Sequence, residues 1–281
     1  MKKLLITIVL LLPVFLLPTV TSAHQPRVVT EDSTTVISPE VSKAYYSTLT
    51  GSPHIYTINT TESFELYVGI LMPYSEDSKK DVTAEIQKGD EVVTLLGGKD
   101  ADWKSMFEFF GQSTYWDGGE YKEQVEAGKY TITVSSTEND SKYSLAIGEI
   151  EAFDFKETVN ALTLIPQLKK DFFNESPISF ILSPFGWGLI VIMFVLAFIF
   201  GFVYRAILKK IARNTNRGAS KNINKKGRAI RVAIGVALLL LAITTSWSPW
   251  LLFFSGFSFF EAIFSWCGLY AALGKNTCPT D

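Results

Sequence analysis

Thr244-Thr245-Ser246-Trp247-Ser248-Pro249-Trp250 decides how the C-terminal third of this chain folds. The stretch interrupts Val232 to Gly274, 43 residues with a single acid, Glu261. One unbroken helix of that length would run roughly 65 Å, about twice the hydrocarbon thickness of a bilayer. The chain must double back. Pro249 stops the first helix, and Trp247 and Trp250 suit a membrane interface. The pattern predicts a hairpin with helices over 229–246 and 250–273.

Charge is segregated around this hairpin. From His24 to Ser183 there are 26 Asp/Glu against 13 Lys/Arg, a net of −13. From Arg205 to Arg231 there are ten Lys/Arg and no acid. Pro177 to Tyr204 has no charged residue, with Pro184 suited to a helix start and Trp187 and Tyr204 to the interfaces. A first membrane helix is expected over 184–208. The basic block between apolar segments holds its side in the cytoplasm. It sends the intervening soluble domain outward and the C-terminus inward. Met1-Lys2-Lys3, an apolar run and Thr21-Ser22-Ala23 read as a secretory signal peptide, residues 1–23. The alternative is an uncleaved anchor, which Pro13 and Pro18 disfavour.

Asn222, then Arg228-Ala229-Ile230-Arg231, then an apolar helix with early Gly235 resembles the opening of the YgaP-like two-helix inner-membrane domain. Cys267-Gly268-Leu269-Tyr270, Leu273-Gly274 and Thr277-Cys278 resemble its end. The resemblance covers 222–281. The family's usual pattern has proline where this chain has Gly268. In some relatives the domain follows a rhodanese, so the resemblance implies a link to sulfur chemistry. Here the N-terminal part contains no cysteine.

From His24 to about Ile150, apolar residues alternate, as in Phe64-Glu65-Leu66-Tyr67-Val68 and Tyr130-Thr131-Ile132-Thr133-Val134. Seven to nine short strands at this spacing predict an antiparallel β-sandwich over 24–152. Ala127–Val134 followed by Tyr143-Ser144-Leu145 is similar to prepeptidase-C-terminal-type sandwiches. Phe153 to Phe173 has helical spacing. This linker, 153–183, either lies on the membrane as an amphipathic stalk or packs against the sandwich.

Candidate sites are few. Trp103, Tyr115 and Trp116 lie in a segment that departs from alternation. They form either an aromatic-lined binding loop or a cap over the open end of the core. Asp100, Asp102, Asp117, Glu120, Asn139 and Asp140 could supply oxygens to calcium, though without EF-hand spacing; no other cofactor is expected. His24 and His54 are the only histidines, and no Gly-x-Ser-x-Gly, Walker A, Cys-x-x-Cys or His-Glu-x-x-His motif occurs, so no catalysis is expected. Glu261, read as midway along the last helix with no cation at its depth, is either an intramembrane polar site or a protonated hydrogen-bonding group. Cys267 and Cys278 are either working thiols or an apolar helix end and an incidental tail thiol.

The sequence thus predicts an all-β extracytoplasmic sandwich followed by three transmembrane α-helices. These are an anchor at 184–208, a basic cytoplasmic loop at 209–228 and a hairpin with its tail at 229–281. The expected role is a multi-pass surface protein of the cell envelope that binds a protein or glycan partner. Alternatives are a sulfur or redox module using Cys267 and Cys278, and an oligomeric conduit at Glu261. The lipid bilayer is a partner, a homo-oligomer through the helices is a further one, and nucleic acid is not expected.

Overall fold

A computed structural model describes residues 24–211 and 221–277. The predicted signal peptide, residues 212–220 of the basic loop and Cys278 lie outside the described residues. Contacts divide the chain into two units, Met1–Glu175 and Ser176–Asp281.

In the first unit, alternation becomes strands because every second side chain leaves water on the same face. β5 (Phe64–Pro73) buries Phe64, Leu66, Val68, Ile70 and Met72. β10 (Gly128–Ser135) buries Tyr130, Ile132 and Val134. Each such side chain contributes about 1.5–3 kcal/mol on leaving water. The other strands are β1 (Gln25–Val28), β2 (Ser33–Val36), β3 (Lys43–Thr48), β4 (His54–Thr60), β6 (Thr83–Lys88), β7 (Glu91–Gly97), β8 (Lys104–Glu108), β9 (Ser113–Val125) and β11 (Lys142–Ile147). They form two sheets, β1-β3-β11-β5-β9-β8 and β2-β4-β10-β6-β7, around one core.

Two features depart from the expected antiparallel set of seven to nine strands. β1 and β2, four residues each, are too short to show alternation and pair in parallel with β3 and β4. The aromatic segment is a β8–β9 hairpin in register from Lys104↔Asp117 to Glu108↔Ser113. The linker choice resolves towards the sandwich. α1 (Phe155–Asp171) is capped by Asp154, whose Oδ1 accepts from Glu157 N at 2.7 Å, and packs on β1. Arg27 pairs with Glu157 at 2.8 Å. Near its end, the fully buried Lys169 donates to Gln112 O (2.7 Å), Ser113 Oγ (2.8 Å) and Glu175 Oε2 (2.8 Å).

The second unit is helical. A 3-10 turn (Pro177–Leu182) leads into α2 (Pro184–Ile211), followed by α3 (Lys225–Thr245), α4 (Pro249–Phe264) and α5 (Gly268–Leu273). α2 and α3 are long and apolar enough to cross a membrane; α4 is apolar but has 16 residues. Small residues allow close packing. A Cβ on Gly201 of α2 would lie 2.6 Å from the Phe260 ring of α4, and one on Gly256 would lie 3.1 Å from Ala197 Cβ. Ser255 Oγ donates to Gly235 O at 2.8 Å, tying α4 to α3.

The expected break at 246–250 is present, but its tryptophans differ in role. Trp250 is exposed, whereas Trp247 is fully buried, with Nε1 donating to Pro177 O at 2.8 Å. The predicted helix over 250–273 is interrupted. Ser265 adopts φ 53°, and Trp266 N donates to Glu261 O at 3.0 Å. This left-handed cap closes α4, and α5 restarts after Cys267.

Candidate functional site

The interruption at Ser265–Cys267 brings Asn222, Arg228, Arg231, Glu261 and Cys267 together at one end of the helical pair. Asn222 stands just before α3 and is 2% exposed. Its Oδ1 accepts from Cys267 N at 2.7 Å and its Nδ2 donates to Cys267 O at 2.9 Å. This two-point clamp satisfies the backbone groups of a residue that belongs to neither helix. Around it, Asn222 N donates to Ser265 O (3.0 Å) and Thr277 N to Asn222 O (3.0 Å).

The two arginines follow at the start of α3, three residues apart and therefore on one face. Arg228 Nε donates to Ala262 O at 2.8 Å, a carbonyl in the last turn of α4 that also takes the Ser265 N–H at 3.4 Å. Arg231 Nε donates to Glu261 Oε2 at 3.0 Å, and its Nη2 donates to Cys267 Sγ at 3.1 Å. The other carboxylate oxygen of Glu261 accepts from Gly268 N at 2.7 Å. The Arg231 guanidinium lies 5.5 Å from the Tyr270 ring centroid. Both cations sit at the negative end of the α4 dipole, which favours them there.

The expectation that Glu261 lacks a cation at its depth is corrected by this geometry. Because α4 ends at Phe264, Glu261 lies in its last turn rather than midway along a longer helix. That places it level with Arg231. Charge neutralisation and two hydrogen bonds let a 6% exposed carboxylate persist in apolar surroundings. Cys267 is a free thiol and 1% exposed. The arrangement can hold sulfur against a cation, but solvent reaches it only when the clamp opens.

Other candidate residues are dispersed. Trp103 is buried, with Nε1 donating to Gly98 O at 2.8 Å. Tyr115 is buried with its hydroxyl 2.8 Å from that of Tyr46, and burial pushes its phenol pKa well up. Trp116 is half-buried, stacks on Tyr74 at 4.7 Å and has Lys80 Nζ 3.3 Å from its ring centroid. Tyr115 and Trp116, adjacent on β9, point to opposite faces of the sheet, so the three aromatics do not line one surface. Of the candidate calcium oxygens, Asp102 lies near Lys104, Asp140 pairs with Lys79, Asp117 accepts from Gly119 N and Glu120 from Tyr67 OH. Among the described residues, no three His, Cys, Asp or Glu come together as metal ligands.

One surface of the sandwich escaped the sequence reading. β7 and β8 are edge strands of the two sheets, and β7 contacts β9, the neighbour of β8. The two edges therefore lie on one side. Val92 (54% exposed), Leu95 (55%), Phe107 (57%) and Phe109 (50%) are exposed there, with Val93 and Met106 beside them. Alternation marked only the β7 segment as a strand, while β8 lay in the stretch that departs from alternation. Neither could show that no further strand among the described residues covers them.

Residues 219–281 match the family model described as inner membrane protein YgaP-like, transmembrane domain, and the resemblance read at 222–281 recurs in that match. The chain therefore combines a membrane-associated YgaP-like domain with an N-terminal β-sandwich. Among solved structures, the pre-peptidase C-terminal domain of a collagenase from Bacillus anthracis is similar at 12% identity and a TM-score of 0.27, over 45% of this chain and 98% of its own. A β-glucosidase from Paenibacillus barengoltzii is similar at 7% identity and a TM-score of 0.22, over 46% of this chain and 14% of its own. No curated protein matches the chain.

Proposed function

We propose that this is a membrane-anchored surface protein without catalysis of its own, whose sandwich lies outside the cytoplasm and binds a protein partner along the β7/β8 edge. The carrying observation is that edge, where exposed apolar side chains accompany strand backbone left unpaired among the described residues. Soluble proteins normally blunt such edges, and an uncovered one is a template for an added strand. The ten cations between Arg205 and Arg231, without an acid, support the sidedness. In this reading α4 completes a third crossing with the turns flanking it.

A photoreactive residue at position 95 or 107 of the full chain, in cells, should form a discrete protein adduct. The same residue at exposed Glu123, on β9 away from that edge, should not. Equal adducts at all three positions, or none at 95 and 107, remove the reading.

A second reading is favoured by one contact, Arg231 Nη2 on Cys267 Sγ. A cationic donor beside sulfur suits a thiol that carries charge or changes oxidation state. In that reading the hairpin is the working part and the sandwich is accessory. Thiol-state labelling of cells with and without oxidant tests it; Cys267 unchanged in both conditions ends it.

A further inference from the structure

A groove of about 230 Å³ runs between α3 and α4. Lys225, Arg228, Ala229 and Val232 line it from α3, and Phe259, Ala262 and Ile263 from α4. Spacing explains the wall. Residues 225, 228, 229 and 232 share one helical face, as do 259, 262 and 263. The lining is polarised along the axis, with two cations in the first turn of α3 and apolar side chains beyond. Arg228 is held in place by its bond to Ala262 O, while Lys225 has no hydrogen bond or ion pair among the described residues.

The cations are unfavourably placed for their own helix. Lys225, Lys226 and Arg228 occupy the N-terminal turn of α3, the positive end of its dipole, where no acid is present. Asn224 Oδ1 caps only Gly227 N, at 2.9 Å. An external anion would offset both the side chains and the dipole. In a helical pair crossing a bilayer, the ligand that carries an anion at one end and hydrocarbon at the other is a phospholipid.

We infer that this groove is a binding site for an anionic phospholipid. The phosphate rests between Lys225 and Arg228, and an acyl chain lies over Val232, Phe259 and Ile263. The apolar part of the groove is open and its side chains are exposed, Val232 at 43% and Ile263 at 57%. A lipid chain covers that surface without requiring a second protein.

The test uses the full chain in phosphatidylcholine bilayers containing a minor fraction of phosphatidylglycerol. Native mass spectrometry then counts co-purified anionic lipid. The wild type should retain phosphatidylglycerol in preference to phosphatidylcholine. Lys225→Gln, which breaks no contact in the fold, should lower that retention about fivefold. Lys226→Gln, which removes the same charge outside the groove, should change it less than about twofold. Val232→Trp, which fills the groove and leaves every cation, should also abolish retention. Soluble glycerol phosphate in excess should not displace the lipid. No preference in the wild type, equal losses for Lys225→Gln and Lys226→Gln, retention by Val232→Trp, or displacement by glycerol phosphate would each overturn the assignment.

Discussion

Glu261→Gln should unlatch the segment that holds Cys267. In the wild type, one carboxylate oxygen takes the Gly268 N–H and the other the Arg231 guanidinium. The amide can keep the first bond through its carbonyl, but it loses the ion pair and can turn an NH2 group towards a cation. A hydrogen bond to a charged group contributes about 1.5–3 kcal/mol, and leaving the guanidinium half-buried without its partner adds to the loss. A net cost of about 2–3 kcal/mol corresponds to an opening equilibrium roughly 30- to 150-fold more favourable. That equilibrium can be read directly, because a 1% exposed thiol reacts only from an opened state. In a Cys278→Ser background in detergent micelles, maleimide labelling of Cys267 should accelerate by that factor. Asn222→Ala, which removes both bonds to the Cys267 backbone, should act in the same direction. Normalising each rate to that of the SDS-unfolded chain removes differences in intrinsic thiol reactivity. Labelling of Glu261→Gln within about threefold of wild type would refute the argument that the ion pair holds the tail closed.

Other perturbations test the remaining structure. In the sandwich unit, Lys169→Met should cost about 2–3 kcal/mol in urea unfolding. Glu175→Gln should cost more, about 3–5 kcal/mol, because it removes the ion-pair partner of a buried cation and leaves it Gln112 O and Ser113 Oγ, whereas the first change leaves a carboxylate that water can reach; the reverse order sinks that account. His54 has its pKa lowered, chiefly by burial, with Asp32 opposing; burial also lowers that of His24. Protonation therefore favours the unfolded chain. Stability from these groups is complete above the unfolded histidine value of about 6.5 and is lost as pH falls below it. The urea midpoint should drop between about pH 7 and pH 5.5, and His54→Gln should shrink the drop; an unchanged slope contradicts the assignment. Gly201→Ala should destabilise the helical unit by about 1–3 kcal/mol in SDS titration, since its Cβ would meet the Phe260 ring at 2.6 Å. A neutral result there means α2 and α4 pack less closely than described.

The sandwich was legible because alternation is a local signal that burial enforces strand by strand. Phe64 to Met72 could hardly hide all its odd-step apolar residues in any other way. Two of the three expected membrane helices, α2 and α3, were legible for a similar reason, apolar length; α4, at 16 residues, falls short of a span by itself. Relations between distant residues were not. Nothing in Phe264-Ser265-Trp266-Cys267 announces a left-handed cap, so Glu261 was placed by counting along an uninterrupted helix. A helix end misplaced by nine residues, 273 against 264, was enough to hide Arg231 as its partner. The resemblance at 222–281 had already singled out Asn222, Arg228, Arg231 and Cys267, but without a reason for their company. The structure supplies one, since all four close the same turn. Gly268 gains a reason too. Proline there would remove the N–H that Glu261 accepts, and a side-chain Cβ would come 2.6 Å from the Tyr204 ring. The aromatics Trp103, Tyr115 and Trp116 were misleading for the opposite cause. Nearness in sequence suggested a cluster, and alternation along β9 turned Tyr115 away from Trp116.

The Asn222 clamp ties the residues ahead of the hairpin's first helix to those just beyond its second. A module fastened end to end in this manner is portable. The portable piece includes α2 and the turn before it, since Gly201 packs on Phe260 and Trp247 donates to Pro177 O, while the fastening itself is made wholly within residues 222–277. It also orders assembly in time. The fastening cannot form until Cys267 has left the ribosome, so α3 must first persist in the bilayer on its own apolarity, with Arg231 awaiting a partner not yet made.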